Sequence, residues 1–299
     1  MLIPELNEIT NGNQLHIARA ISWVENHTDG YWELLKSTIG NTPVIGITGP
    51  PGAGKSTLVN SLVQSMSKAG KQVAILAVDP SSPFNLGSLL GDRLRMQNLY
   101  MLPNVYIRSL SSRGSLGGLT TSIIEVVEVL KLAPFDYIII ETVGVGQSEI
   151  EIAGIADTTV VVSVPESGDE IQTLKSGIME IADIFVVNKA DREGAATFAS
   201  HLKKLAHERA VKNWETPVIL TQAINNTGLD ELIERIDSHF LISSKNAQKR
   251  IKLLAEKAFK LIQSQRMSNL SITQIESDIE NFKNGNNFNL FSFVENYFM

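Results

Sequence analysis

The 299-residue sequence contains no cysteine. This absence excludes disulfides, zinc–thiolate and iron–sulfur sites and thiol nucleophiles, and it is typical of chains in a reducing compartment. Charged residues make up only 19% of the chain, so disorder throughout is not expected. Because 43% of the residues are hydrophobic, the chain can bury a full-sized core, and its length predicts about two domains.

Long hydrophobic runs and an excess of basic residues are also missing. The apolar runs are far shorter than the ~20 residues that span a bilayer. The N-terminal residues Met1–Glu8 lack the basic and apolar regions of a secretory signal, so we expect a cytoplasmic protein without membrane association. The net charge of −6 argues against nucleic acid as a partner, although a small phosphate ligand needs only a few local donors.

Short apolar runs alternate with amphipathic stretches in the middle of the chain. The runs are continuously apolar, which predicts strands covered on both faces in a parallel sheet. The predicted strands are Val44–Thr48, Val73–Val78, Tyr137–Glu141, Thr159–Val164, Ile184–Asn188 and Pro217–Thr221, with helices near 55–69, 119–131, 171–182, 195–210 and 228–240. This order predicts an α/β fold with a doubly wound, mostly parallel sheet, whose ligands bind at the carboxyl ends of the strands.

Both ends of the chain are predicted to be helical. Residues 1–40 carry apolar side chains at helical spacing and form an N-terminal extension to an α/β domain at 41–242. Residues 243–299 follow the last predicted strand, and a stripe with coiled-coil spacing runs through Ile251, Leu254, Ala258 and Leu261. This C-terminal segment is either a helix packed on its own domain or an interaction arm.

The strongest motif lies between the first predicted strand and the helix that follows it. The segment from Gly49 to Thr57 fits the P-loop pattern G-x-x-x-x-G-K-S. Its glycines let backbone N–H groups converge on phosphate oxygens, and the helix adds its positive N-terminal end. We expect Lys55 to bind the β- and γ-phosphates and Ser56 to ligate Mg²⁺. The predicted phosphate-binding residues are Gly49, Pro51, Gly52, Ala53, Gly54, Lys55, Ser56 and Thr57.

A second motif, N-K-x-D, indicates which base is bound. It occupies Asn188-Lys189-Ala190-Asp191 after a predicted strand. The Asp191 carboxylate can accept hydrogen bonds from N1–H and the exocyclic amine of guanine, a donor pair that adenine lacks. The Lys189 stem would lie along the base plane. The backbone N–H of Ala223 follows the next strand and can bind guanine O6, although such strand-to-loop residues are common.

The predicted strand at 137–141 ends in an acidic residue beside the P-loop. Glu141 occupies the position of a Walker B acid, which holds Mg²⁺ directly or through water. Gly144 can present its N–H to the γ-phosphate. Small signalling GTPases have a water-orienting glutamine directly after this glycine, whereas this chain has Val145, with Gln147 displaced by two positions. Gln147 is therefore not assigned that role.

Two further acids are candidates for the metal and for the attacking water. Asp79 follows the strand at 73–78 and precedes a proline, and Asp92 lies in a Gly-Asp-Arg sequence. The alternatives are a turn-forming Asp-Pro pair and a helix N-cap. Arg108, Arg113 and the glycine-rich Gly114–Gly118 approach either phosphates or a partner, or else belong to a solvated loop.

Taken together, these motifs resemble one family closely. From about Gly12 to Phe240 the chain resembles the methylmalonyl-CoA mutase-associated GTPases of the MeaB/ArgK type, within the P-loop GTPase class of the signal-recognition-particle and MinD-like proteins. The most specific part of the resemblance runs from Glu141 to Asp191 and includes Glu141–Glu149, Ser167–Glu170 and Gly177–Asp183. One departure is Asn85-Leu86-Gly87, where the family has Ser or Thr followed by two glycines.

The resemblance implies a function as well as a fold. Proteins of this family bind GTP and GDP with Mg²⁺, hydrolyse GTP slowly, and form homodimers through a C-terminal helical arm. They assist adenosylcobalamin-dependent acyl-CoA mutases in cofactor loading, protection or reactivation. The resemblance also implies that Lys55, Asp79, Asp92 and Glu141 serve hydrolysis, and that Ser56 and these three acids serve the metal.

The sequence also bears on three alternative functions. A non-enzymatic, nucleotide-bound scaffold stays open because no glutamine follows Gly144. An older family label describes a lysine/arginine/ornithine transport ATPase or kinase, and the N-K-x-D motif opposes ATP. A nickel-loading GTPase needs cysteine or histidine ligands, whereas this chain has no cysteine and five scattered histidines.

Overall fold

The computed structural model describes residues 4–38, 40–79, 96–111, 121–142, 151–168, 178–208, 214–245, 247–267, 270, 272–283 and 290–297. Within these residues, seven strands form one parallel sheet in the order β3-β2-β4-β1-β5-β6-β7. The strands are β1 Val44–Thr48, β2 Val73–Asp79, β3 Val105–Ser111, β4 Tyr137–Thr142, β5 Thr158–Ser163, β6 Ile184–Val187 and β7 Val218–Leu220.

Helices precede, cover and follow this sheet. The N-terminal helices are α1 Leu6–Thr10, α2 Gln14–Glu25 and α3 Tyr31–Lys36. The helices between strands are α4 Lys55–Lys68, α5 Thr121–Leu132, α6 Ile178–Ile181 and α7 Ala195–His207. The C-terminal helices are α8 Leu229–Lys245, α9 Ala247–Arg266, α10 Ile272–Lys283 and α11 Leu290–Glu295, and short 3₁₀ turns occupy Ile152–Gly154, Pro165–Gly168 and Ala223–Asn225. The predicted doubly wound α/β fold is confirmed.

The central strands are buried along their whole length. Every residue of β1, β4 and β5 is buried, as the continuously apolar runs predict for a sheet covered on both faces. The core on one face packs the apolar side of α4 against these strands. The helix ends at Lys68 and is capped by Ala69. Gly70 follows with φ +79°, and the Lys71 N–H donates to the Met66 carbonyl at 3.0 Å, which closes the last turn.

The sequence prediction omitted the edge strand β3. Its sequence, Val-Tyr-Ile-Arg-Ser-Leu-Ser, mixes apolar and polar residues instead of forming a continuous apolar run. The interpretation of Arg108 as a loop residue near phosphates or a partner was therefore wrong. Arg108 lies within β3 and its guanidinium donates to the Glu25 carboxylate and to Ser22 Oγ of α2.

The N-terminal helices are held by this ion pair and by a second polar contact. His27, just after α2, lies 3.3 Å from the carboxylate of Glu125 in α5. Glu125 is 5% exposed, and its burial raises the pKa of the carboxyl while the neighbouring His27 opposes that shift. Both contacts lie at the C-terminal end of α2, so this end of the helix is attached to β3 and α5.

The chain divides into two compact units, Met1–Leu254 and Ala255–Met299. The sheet and the predicted nucleotide-binding motifs belong to the first unit. The predicted boundaries at 40/41 and 242/243 stay predictions. Among the helices that the structure describes, none combines the length and the apolar character needed to cross a bilayer.

Candidate functional site

The carboxyl ends of the central strands open onto a cavity of about 550 Å³. Because β1 and β4 are parallel neighbours, the P-loop after β1 and Glu141 near the end of β4 reach the same edge of the sheet. The volume falls in the range of small-molecule sites. The cavity is lined by the P-loop, by the ends of β2 and β4 and by the lysine of the N-K-x-D motif: Pro51, Gly52, Gly54, Lys55, Ser56, Thr57, Ala77, Val78, Glu141, Thr142 and Lys189.

Gly49, Gly52 and Gly54 of the P-loop all have positive φ, and at two of these positions there is also no room for a Cβ atom. Gly49 has φ +138°, and a Cβ atom there would lie 2.0 Å from the Val162 carbonyl oxygen of β5. Gly54 has φ +85°, and a Cβ atom there would lie 2.5 Å from Nδ2 of Asn188. The two glycines therefore allow the loop to approach the backbone of β5 and the asparagine of the N-K-x-D motif.

Lys55 is the first residue of α4, and its side chain folds back into the loop. It is 6% exposed, and its Nζ donates to the carbonyl oxygens of Gly49 and Pro50 at 2.7 and 3.0 Å. Hydrogen bonds from an ammonium to a charged phosphate are stronger than those to a neutral carbonyl. The ammonium is therefore positioned where a bound phosphate would compete for it.

Ser56 and Glu141 meet at the wall of the cavity. Ser56 Oγ donates to Glu141 Oε1 at 2.6 Å, and Glu141 is 7% exposed. A hydroxyl and a carboxylate are oxygen ligands of the kind that Mg²⁺ prefers, so the two residues fit the predicted magnesium site. No group of three or more His, Asp or Glu side chains that could hold a metal occurs within the described residues. A nucleotide phosphate and water would have to complete the coordination.

Thr142 connects this edge of β4 to the strand that enters the P-loop. Its Oγ1 hydrogen-bonds Thr48 Oγ1 at 3.0 Å and lies 3.4 Å from the Ile47 carbonyl oxygen. Both threonines are buried. The contact fixes the end of β1 relative to Glu141, which precedes Thr142.

Asn188, just after β6, joins the P-loop to the next loop of the sheet. It is 2% exposed, and its Nδ2 donates to the Ala53 carbonyl at 3.0 Å. Its Oδ1 accepts from Thr221 Oγ1 at 3.1 Å and from the Ala223 N–H at 3.2 Å. One amide thus satisfies polar groups of the P-loop and of the loop after β7, which is predicted to contact the base.

The residues after Asn188 form a tight turn. Lys189 has φ +54°, and its Nζ donates to the Gly52 carbonyl at 2.8 Å, so its stem crosses towards the P-loop. Asp191 is exposed to solvent. Arg192 pairs with Glu166 from the turn after β5, and this hydrogen bond lowers the pKa of the Glu166 carboxyl. The turn is therefore attached on both sides, while the Asp191 carboxylate stays accessible.

The loop after β7 also contacts α4. We call residues 222–227 the base-side turn; it closes with hydrogen bonds between Gln222 and Thr227 in both directions, at 3.1 and 3.2 Å. Ala223 is its buried residue, and the Ala223 carbonyl accepts from Ser61 Oγ of α4 at 2.7 Å. The Ala223 N–H, predicted to bind guanine O6, donates to Asn188 Oδ1.

The structure brings the P-loop, Glu141 and the N-K-x-D motif to one edge of the sheet. β2 ends there with Asp79, whose backbone pairs with Ser111, but the Asp79 side chain lies outside what the structure describes. Sequence reasoning did not find Ser61, Thr142 or Glu166, because each acts through a partner distant in sequence. Other predicted residues lie outside the described residues: Asn85–Gly87, Asp92, Arg113–Gly118, Gly144, Gln147 and most of the helix at 171–182.

Comparison with known proteins decides the family. A family profile described as methylmalonyl Co-A mutase-associated GTPase MeaB matches residues 17–276. The chain belongs to this family. The match covers the α/β domain and continues into α10, and it confirms the predicted family and the prediction of a P-loop GTPase.

Relatives of this MeaB-family chain extend over most of its length. A Pyrococcus horikoshii protein that carries the name GTPase is 46% identical over 261 residues, which are 83% of this chain and 82% of the relative. The mouse methylmalonic aciduria type A homolog, mitochondrial, is 39% identical over 216 residues, covering 69% of this chain and 52% of that protein. The crystal structure of a LAO/AO transport system kinase has a TM-score of 0.69 at 25% identity and covers 97% and 94% of the two chains.

Proposed function

We propose that this MeaB-family protein is a GTP-hydrolysing chaperone that assists an adenosylcobalamin-dependent acyl-CoA mutase of the methylmalonyl-CoA mutase type. It acts in cofactor loading, protection or reactivation of that enzyme. The observation that carries the proposal is the Asn188 network, which joins the P-loop at Ala53 to the base-side turn at Ala223. The P-loop and the neighbouring Lys189 line the cavity. The family description, which names a methylmalonyl Co-A mutase, supports the choice of partner.

The phosphates of the nucleotide occupy the P-loop in this proposal. Backbone N–H groups between Gly49 and Thr57 and the positive end of α4 bind the phosphate oxygens. Lys55 exchanges the carbonyls of Gly49 and Pro50 for the β- and γ-phosphates. Because Lys55 is almost fully buried, solvent screens its charge little, and the exchange favours the nucleotide.

Hydrolysis adds water to the γ-phosphate and yields GDP and inorganic phosphate. Bound Mg²⁺ would neutralise negative charge on the β- and γ-phosphate oxygens. Ser56 and Glu141 would hold it, with Asp79 and Asp92 as the remaining candidates for its coordination or for orienting the water. Lys55 stabilises the charge that develops on the transferred group.

A slow intrinsic rate agrees with the sequence after β4. The N–H of Gly144 is the candidate donor to the γ-phosphate, and Val145 stands where small signalling GTPases have a water-orienting glutamine. Without that side chain, the attacking water is positioned less firmly, and orientation contributes much of the acceleration in phosphoryl transfer. A partner protein is therefore expected to raise the rate.

The base is guanine, and it binds between the N-K-x-D turn and the base-side turn. The exposed carboxylate of Asp191 accepts from N1–H and the 2-amino group, and the Lys189 stem covers one face of the ring. The N–H of Ala223 turns part of its hydrogen bond from Asn188 Oδ1 to guanine O6. Adenine presents an amine at this N–H and leaves Asp191 without N1–H and amine donors, so ATP is rejected.

The Asp191→Asn variant tests this choice of base. The amide NH₂ of the asparagine is a donor, and so is the 2-amino group of guanine, so the two no longer pair. The 2-oxo group of xanthine can accept from the amide NH₂. Nucleotide preference should therefore move from GDP to XDP by about 100-fold or more. Dissociation constants for both nucleotides measure the shift, and Asp230→Asn is a matched control at an exposed aspartate on α8. An Asp191→Asn variant that still prefers GDP contradicts the base assignment.

The C-terminal segment is proposed to form a homodimer. Ile251 and Leu254 of the predicted stripe are more than half exposed in the single chain, as are Phe259 and Ile262 on the same helix. A second copy that covers these side chains would remove their apolar surface from water.

A cytoplasmic location for the complex agrees with the cysteine-free sequence.

Single-turnover hydrolysis of GTP with and without the mutase tests the chaperone function. We expect slow hydrolysis by the protein alone and acceleration by the mutase isolated from the same organism. A second readout is whether GTP, and not GDP, changes the rate at which adenosylcobalamin loads onto the mutase. The chaperone proposal is wrong if the mutase does not change the rate of GTP hydrolysis and GTP does not change the rate of adenosylcobalamin loading. Hydrolysis too slow to detect with and without the mutase would favour a nucleotide-bound scaffold.

A further inference from the structure

A hydroxyl group outside the recognised motifs contacts the base-side turn. Ser61 lies six residues, about 1.7 turns, after Lys55, the first residue of α4. Its Oγ donates to the Ala223 carbonyl at 2.7 Å, across 162 positions of sequence. α4 begins at the phosphate side of the cavity, so this hydrogen bond links the helix that follows the P-loop directly to the turn that faces the base.

Ser61 completes a closed ring of contacts between the P-loop, Asn188, the base-side turn and α4. From the P-loop, the Ala53 carbonyl accepts from Asn188 Nδ2. From Asn188, Oδ1 accepts the Ala223 N–H, and the Ala223 carbonyl accepts from Ser61. The covalent chain from Ser61 back through Lys55 to Ala53 closes the ring. The peptide groups on both sides of Ala223 are thus held by side chains of other elements.

The rest of the base-side turn is exposed and is closed by hydrogen bonds within the turn itself. Ile224, Asn225, Asn226 and Thr227 are exposed, and Asn226 has φ +56°, a conformation that a non-glycine residue seldom adopts. The Ala223 carbonyl also accepts from the Asn226 N–H, at 3.3 Å, which is a longer hydrogen bond than the one from Ser61. The contact with Ser61 therefore fixes the buried residue about which this exposed turn is built.

We propose that Ser61 is a positioning residue that sets the direction of the Ala223 N–H and thereby strengthens recognition of the purine O6 atom. This inference rests on the proposed binding of guanine nucleotides. The Ala223 N–H must serve both Asn188 Oδ1 and the incoming O6, and such a shared hydrogen bond is sensitive to a small rotation of the peptide. Ser61 holds the peptide group on the other side of Ala223, and this limits how far Ala223 and its N–H can move.

The atoms of the base separate this role from a general structural one. GDP and IDP both carry O6, whereas 2-aminopurine riboside diphosphate keeps the 2-amino group but has no O6. Replacing a residue that acts through O6 should weaken the binding of GDP and IDP and leave the affinity for the 2-aminopurine nucleotide unchanged. A residue that merely stabilises α4 or the P-loop affects all three alike, because their diphosphates are identical.

The experiment measures dissociation constants of the full chain for these three nucleotides, and for ADP on the wild-type chain. Ser61→Ala should weaken GDP and IDP by about 3- to 10-fold, the effect of one hydrogen bond, with no change for the 2-aminopurine nucleotide. Ser61→Thr restores the hydroxyl and should restore affinity. Ser65→Ala is the matched control, because Ser65 lies one turn further along α4 and is also half-buried.

Two kinds of result would overturn this inference. If the wild-type chain prefers GDP to ADP but Ser61→Ala behaves as Ser65→Ala, Ser61 has no positioning role and the proposed function stands. An equal loss for all three nucleotides also refutes the action through O6. If the wild-type chain binds GDP and ADP equally, the proposed function fails, and this inference fails with it.

Discussion

Replacing Asn188 by alanine tests the network around the cavity without any nucleotide. The side chain is 2% exposed and makes three hydrogen bonds, to the Ala53 carbonyl, the Thr221 hydroxyl and the Ala223 N–H. These three partners belong to buried residues. A buried polar group that loses its partner costs about 1–3 kcal/mol, and the Thr221 hydroxyl can rotate to another acceptor. We therefore expect Asn188→Ala to lower the free energy of unfolding by about 3 kcal/mol.

Urea unfolding of the nucleotide-free protein, followed by circular dichroism, measures this loss. Asn225→Ala is the control, since Asn225 is an exposed asparagine of the base-side turn whose amide donates to Gln222 Oε1 at 3.0 Å. Its replacement should cost less than about 0.5 kcal/mol. A loss below about 1 kcal/mol for Asn188→Ala would mean that water replaces the amide readily. The description of Asn188 as the link between the two sides of the cavity would then be wrong.

Two further predictions follow from buried charges. Lys55→Ala should leave the chain folded and weaken GDP binding by more than about 100-fold in a calorimetric titration, because the phosphates lose their buried cation; unchanged affinity would contradict the P-loop assignment. Burial raises the pKa of the Glu125 carboxyl in the folded chain. The folded chain therefore binds more protons than the unfolded chain in the range between the two pKa values. As a result, the free energy of unfolding falls as the pH rises from about 4.3 through the raised pKa. Urea midpoints measured between pH 4 and 8 should no longer show this fall in the Glu125→Gln variant. The control Glu128→Gln, on the same helix, should retain it. A Glu125→Gln profile equal to that of the wild type would contradict the assignment of the fall to Glu125.

The sequence predicts the central sheet well because its strands carry a strong local signal. The strands flanking the P-loop and Glu141 are continuously apolar, and their predicted bounds agree with the structure to within one residue. The edge strand β3 lacks that signal. Its Arg108 is compatible with a strand because Glu25 of α2 supplies an opposite charge, and a partner so distant in sequence cannot be inferred from the strand itself.

The candidate site shows the same division between local and distant information. The P-loop and the N-K-x-D motif are short patterns whose chemistry can be inferred directly, and the parallel topology explains why they meet at one edge. The contacts that connect them are not local. Asn188 contacts Ala53 across 135 positions of sequence. In the sequence, nothing distinguishes Ser61 from any other polar residue of a helix, and only the structure shows its hydrogen bond to Ala223.

Calorimetric titration of the wild-type chain with GDP and with ADP, in buffer containing Mg²⁺, tests the central claim most directly. The P-loop with Lys55 and the N-K-x-D motif with Asn188 and Asp191 meet at one edge of the sheet, and they predict saturable binding of about one GDP per chain and ADP binding weaker by about 100-fold or more. Equal heats and affinities for GDP and ADP, or no binding of GDP, would contradict the assignment of this cavity to a guanine nucleotide.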